Sequence, residues 1–276
     1  MGMSHFADTL TAQVKDTSPV CLEIAPQLGL LPKEFPQTVD GVMGYCRGLL
    51  EAAEGSACAV SIQLSSFEVL GWQGMKAFWE LAKEAKAKGF VVIADGKRGD
   101  LAEASGSYAD AYLHAGSPVD ALTVHPYFGS DSIAPFIERA VANGKGIFVT
   151  VKTSNTGAGD LQDLPAGDEA VHENLAQIVE SWGMHHIGPE TSLSCVGAIV
   201  GTLYPEELKY LRTIMPHLPF LLPFEGSEDF DAKSLHYGFL PDGTGAIVSI
   251  RPTAQSTTWQ TETREQIVRL REALHG

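Results

Sequence analysis

Positive charge is what this sequence most lacks: 19 Lys and Arg stand against 34 Asp and Glu, for a formal net charge of −15. Such a surface repels a phosphate backbone and an anionic bilayer within a Debye length, so neither nucleic acid nor membrane is expected as a partner. Long apolar runs are missing too. No segment approaches the roughly 20 consecutive apolar residues that span a bilayer. The opening Met1-Gly-Met-Ser-His-Phe6 has no signal-peptide core, and Phe6 stands where a myristoylation pattern needs Ser or Thr. A cytoplasmic protein is therefore expected. Cysteine is scarce, four residues with no C-x-x-C pair, which gives no zinc or dithiol signature. Cys21, Cys58 and Cys195 lie in or beside apolar stretches and are expected to pack. No internal repeat and no Pro/Ser-rich linker divides the chain, so residues 1–276 are expected to form one domain.

What is present is a regular alternation of short apolar runs with longer amphipathic stretches. The runs Val20–Ile24, Cys58–Gln63, Phe90–Asp95, Ala121–Val124, Gly146–Val151, Val196–Val200, Phe220–Pro223 and Ala246–Ser249 predict eight strands. Between them the spacing predicts helices at Val39–Ala53, Trp72–Lys88, Leu101–Ala115, Ser130–Val141, Asp168–Ser181 and Pro205–Met215, with Thr261–Leu274 at the end. A leading helix near Ser4–Lys15 is placed to cap the bottom. This is the pattern of an α/β protein folded as a (β/α)8 TIM barrel, whose chemistry belongs at the carboxyl ends of the strands. Thr153–Gly167, aperiodic and following the fifth strand, is expected to be a lid over that face. Trp72, Trp79 and Trp182 read as packing residues, and His185-His186 as solvent-facing.

Four charges crowd six residues where the third strand ends: Asp95, Lys97, Arg98 and Asp100. A solvated turn, with Asp100 capping the next helix, is the plain reading. The functional reading starts from Asp95 and Lys97, two apart and so on one side of an extended segment. An ammonium held by carboxylates stays protonated and can deliver its proton to a carbanion. His125, ending the fourth strand, is a candidate contact or acid–base residue.

The run Ala94-Asp-Gly-Lys-Arg-Gly-Asp-Leu101 resembles the active-site motif of the orotidine 5'-monophosphate decarboxylase family, in its bacterial subgroup with Lys-Arg-Gly-Asp. Further segments are similar in the family's order: Ser18-Pro-Val-Cys21, Gln63 with Phe67-Glu68, His125-Pro-Tyr-Phe-Gly129, Lys152-Thr-Ser-Asn155, Asp160-Leu-Gln-Asp163, Val200-Gly-Thr202, Tyr204-Pro-Glu-Glu207 and Arg251. The resemblance implies a lyase that needs no cofactor, with Lys97 as proton donor and Asp95 and Asp100 as its charge network. It also implies a homodimer with shared active sites, Asp100 being supplied across the interface. Ser154 would contact the pyrimidine, and Arg251 would bind phosphate.

Against that pattern, Ala25 stands where the family has a ribose-binding Asp, and Ser61 where it has a second Lys. The stretch Pro223-Phe-Glu-Gly-Ser-Glu-Asp229 brings Glu225, Glu228 and Asp229 to a region where the family cradles phosphate, and Glu23 could face the same cavity. These departures predict a small-molecule substrate that is pyrimidine-nucleotide-like but shifted from orotidine 5'-monophosphate. Two alternatives stay open: a changed reaction (isomerisation, hydrolysis or cyclisation) with Glu23 or His125 as base, and a catalytically silent nucleotide-binding barrel. Glu23 with Asp95 could be read as metal ligands, but Ser61 stands where a second-strand acid is needed, and no metal is assigned.

Overall fold

Eight short strands, apolar on both faces, have no stable open edge to share, and they close on one another. In the computed structural model, which describes residues 4–224, 232–252 and 256–275, strands β1 (Val20–Ile24), β2 (Ala59–Gln63), β3 (Val91–Arg98), β4 (Ala121–Val124), β5 (Gly146–Lys152), β6 (Val196–Val200), β7 (Phe220–Phe224) and β8 (Ala246–Ile250) form a closed barrel. Every neighbouring pair is parallel, and β8 returns to β1 with Cys21 beside Ser249. Strands β4 and β6 are buried along their whole length, as expected of parallel strands covered by helices. The expected α/β (β/α)8 barrel is the observed one.

Around the barrel lie α1 (Phe6–Asp16), α2 (Val39–Ala53), α3 (Leu64–Glu68), α4 (Gly71–Ala87), α5 (Ala102–Tyr112), α6 (Ser130–Asn143), α7 (Val171–Gly183), α8 (Pro205–Ile214) and α9 (Trp259–His275). Helix α1 plugs the amino-terminal end: its Phe6 meets Phe148 of β5 edge-on, ring centroids 5.9 Å apart. That end is filled to contact, since a Cβ on Gly197 would lie 2.6 Å from the Phe148 ring. All four cysteines are buried, consistent with packing roles. Among the described residues, no helix is long and apolar enough to cross a membrane.

One expectation needs correcting. Trp72 is not a packing residue; it stands at the start of α4 with 75% of its surface exposed. Trp259 does pack, edge-on to Tyr45 and Phe35, and its indole N–H donates to Glu34 Oε1 at 2.6 Å. Arg212 of α8 is buried and donates to the carbonyls of Met215, Leu218, Gly238 and Gly245. It thereby fastens the 3-10 turn Ala232–Gly238 and the corner before β8 to the helix layer.

Candidate active site

Parallel pairing sets Glu23 beside Ser61, and Gln63 beside Asp95. Side chains alternate along a strand, so these four share the inward face at the carboxyl end of the barrel. Strand β3 runs three residues further than its apolar core suggested. Its pairing with β4 passes from Ala94↔Leu122 to Arg98↔Val124, so Asp95, Gly96 and Lys97 lie opposite Thr123 alone. This is a β-bulge, a device that re-aims side chains next to active sites. Lys97 takes φ 44°, a left-handed conformation rare for a residue with a Cβ. Gly96 must be small, since a Cβ there would lie 2.6 Å from Leu64 Cδ1.

The bulge turns the Lys97 ammonium back onto Asp95. Nζ lies 2.7 Å from Oδ1 and 2.8 Å from Oδ2. Asp95 is largely buried, at 12% side-chain exposure, while Lys97 is 49% exposed and open to the mouth. Thr123 Oγ1 donates to Asp95 Oδ1 at 2.7 Å and accepts from the Lys97 N–H at 2.9 Å. Arg98 turns away, pairing with Glu68 and lying over the Tyr108 ring, so it ties α3 to α5. The expected Asp95–Lys97 pair is thus present, formed by a bulge where a plain extended segment was expected.

Asp100 is not brought to Lys97 within one chain. Its Oδ1 accepts from the Leu101 N–H at 2.7 Å, beside the start of α5. His125 is held by a backbone bond from its N–H to the Arg98 carbonyl at 2.9 Å. Its ring packs over Gly99 and tilts against Phe128, 5.7 Å between centroids. Ser154 packs over Gly201 at the end of β6, across the mouth, and Ser61 is buried in β2.

Glu23 does face the cavity, yet its charge does not stand alone. Arg251, immediately after β8, donates to Glu23 Oε1 through Nε at 2.9 Å and also through Nη2. The mouth therefore carries two neutral pairs, Asp95–Lys97 and Glu23–Arg251. A cavity of about 220 Å3 opens beside the second pair, lined by Ala25, Gln27, Leu30, Tyr45 and Arg251 among others. The acidic residues Glu225, Glu228 and Asp229 lie outside the described residues.

The segment after β5 is held by Lys152, a residue of the Lys152-Thr-Ser-Asn155 run to which the sequence alone assigns no role. Lys152, buried at the strand end, pairs with Asp163 and lies 3.9 Å from Glu207. That ammonium holds the Asp163 carboxyl below the usual range. His172 Nδ1 lies 2.9 Å from the Gln162 carbonyl, and Gln162 in turn bonds Thr153 through its amide. Asp163, His172 and Glu207 bring ligand atoms within 4.8 Å of one another, but the Lys152 ammonium already supplies positive charge to both carboxylates. A lysine closing an apolar strand was the available signal.

A barrel with this pair at the end of its third strand has known relatives. Residues 46–226 match the model of the Orotidine 5'-phosphate decarboxylase / HUMPS family. The chain belongs to that family. An orotidine 5'-phosphate decarboxylase of Rhodopirellula baltica is 34% identical, covering 99% of this chain and all of the relative. Another, from Deinococcus radiodurans, is 34% identical over 93% of this chain and 92% of its own. Among solved structures, a Streptomyces avermitilis protein provisionally given the same activity superposes with a TM-score of 0.87 at 27% identity, covering 100% of this chain and 96% of that one. The Leishmania donovani OMP decarboxylase gives 0.78 at 28%, covering 99% of each. The family resemblance read from the sequence is thereby established.

Proposed function

We propose that this member of the orotidine 5'-phosphate decarboxylase family is a carbon–carbon lyase of the decarboxylase type. Its substrate is a pyrimidine-nucleotide-like carboxylate, and Lys97 is the proton donor. The observation that carries the reading is the Asp95–Lys97 pair, a shielded carboxylate bonded to an ammonium that is open to the mouth. A substrate carboxylate placed beside Asp95 meets like charge, which is relieved when the bond to carbon breaks and carbon dioxide departs. The electron pair left on carbon takes a proton from Lys97 Nζ, and solvent returns a proton to the amine. No cofactor is needed for that balance. In this reading Ser154 contacts the pyrimidine ring, His125 and Ser61 line the substrate cavity, and Asp100 completes the charge network in a homodimer with shared sites.

The substrate is shifted from orotidine 5'-monophosphate in the group that meets Arg251. Loops after the seventh and eighth strands are a frequent phosphate site in such barrels. Here the arginine at that place is already engaged by Glu23, and Ser61 and Ala25 offer neither an ammonium nor a carboxylate. The same pairing weighs against Glu23 as a free base in a changed reaction.

The test is to follow ultraviolet loss with orotidine 5'-monophosphate and with orotidine, using Lys97→Ala as control. Turnover of either that vanishes in the variant supports the lyase, and a preference for orotidine supports the shift. Full activity in Lys97→Ala would sink the mechanism.

A further inference from the structure

We infer that Thr123 is the positioning residue that holds the Asp95–Lys97 pair in its reactive geometry, acting through a single buried hydroxyl. The inference rests on the reading of Lys97 as proton donor.

A bulge leaves backbone groups without ladder partners. Of the three residues opposite Thr123, the Lys97 N–H is met by Thr123 Oγ1 at 2.9 Å, a side-chain oxygen standing in for the missing strand carbonyl. The proton of that same hydroxyl is then directed to Asp95 Oδ1 at 2.7 Å. Asp95 closes the ring by accepting from Lys97 Nζ through both oxygens. One hydroxyl thus fixes the backbone of the ammonium-bearing residue and the carboxylate that aims the ammonium. Because the hydroxyl has one proton, accepting from Lys97 and donating to Asp95 are compatible only in this direction.

The left-handed φ of Lys97 sharpens the need. A side-chain-bearing residue leaves that conformation unless its surroundings hold it. Thr123 is fully buried, so no water can replace the hydroxyl without repacking. Valine is close to threonine in size but lacks both the donor and the acceptor, leaving the part-buried Lys97 N–H without its partner and Asp95 Oδ1 held by Lys97 Nζ alone.

The experiment compares Thr123→Val and Thr123→Ser with the wild-type full chain by two readouts. The first is the rate at which an amine-reactive acetylating ester labels Lys97, read by peptide mass spectrometry, which needs no turnover. Thr123→Val is expected to raise it by about fivefold or more, because the freed ammonium leaves Asp95, and Thr123→Ser to restore it. The second is turnover of the substrate found active: kcat should fall by about 10- to 100-fold in Thr123→Val with KM within about threefold, and Thr123→Ser should recover it. A loss of packing alone would not be repaired by serine, which removes a methyl group. If Thr123→Val fails to fold, Thr123→Cys, of similar size with a weak donor, is expected to label at a rate between wild type and Lys97 in the unfolded chain. Wild-type labelling and kcat in Thr123→Val, or a Thr123→Ser as impaired as Thr123→Val, would overturn the inference. Absence of turnover in wild type, with the labelling pattern intact, would instead count against the lyase reading alone.

Discussion

Residue by residue, the mouth of this barrel is a matter of which charges are already spent. Asp95 and Lys97 neutralise one another, and so do Glu23 and Arg251. A guanidinium held by a carboxylate through two N–H groups must give up those bonds before it can grip a phosphate. Glu23→Gln removes the competing charge and is expected to tighten uridine 5'-monophosphate by about tenfold, with uridine changed little. Isothermal titration of both ligands decides it. Equal affinity for the nucleotide in wild type and Glu23→Gln would mean that Glu23 does not restrain Arg251. Lys97 and Asp95 were legible in the sequence because charges at the end of an apolar strand have little packing reason to be there. Thr123 was not, because a lone threonine inside a buried strand is usual in any barrel. Arg251 was legible as a cation after the eighth strand, but its pairing depends on the return of β8 to β1, a contact between residues 228 positions apart.

Among the elements, the strands followed from their apolar runs, and β1, β4 and β6 match the predicted bounds. Strand β3 ran past its predicted end at Asp95: Gly96 and Lys97 carry turn-like composition, and the bulge opposite Thr123 keeps them in the sheet. The aperiodic segment after β5 hid a 3-10 turn at Thr156–Asp160 and a two-stranded hairpin, Pro165–Ala166 with Glu169–Ala170, both too short to leave a periodic trace. Its clasp is Lys152–Asp163. Asp163 has a lowered pKa in the fold because of Lys152, so the clasp contributes fully above the ordinary aspartate range, about 3.9. Its contribution is lost as pH falls through the lowered value. The protection of the amides in residues 153–170, taken relative to their intrinsic exchange rates at each pH, should therefore be high at neutral pH and fall only in acid. Asp163→Asn should exchange fast already at pH 7, and a variant as protected as wild type would remove Lys152–Asp163 as the clasp.

At the scale of the whole molecule, the exposed apolar side chains Leu101, Tyr127, Phe128, Leu203 and Tyr204 follow strands β3, β4 and β6, on the same face as the site. Asp100, next to Leu101, sits among them and is bonded to its neighbour's N–H within one chain. A homodimer closing over this face would bring the partner's Asp100 to Lys97. Mixing inactive Lys97→Ala with inactive Asp100→Ala should then restore about a quarter of wild-type turnover, because half of the randomly mixed dimers carry one intact site. No recovery, with mixed dimers shown by mass, would place Asp100 in its own chain's site.

The lyase reading rests on Lys97 moving a proton to and from a pyrimidine carbon. Proton delivery after decarboxylation is, by microscopic reversibility, also proton removal from the product. The most direct measurement is therefore deuterium uptake from D2O at the ring carbon of uridine or uridine 5'-monophosphate, followed by proton NMR with wild type and Lys97→Ala. The account predicts uptake with wild type that is lost in Lys97→Ala. Uptake at the wild-type rate in the variant, or none with either ligand in wild type, would contradict it.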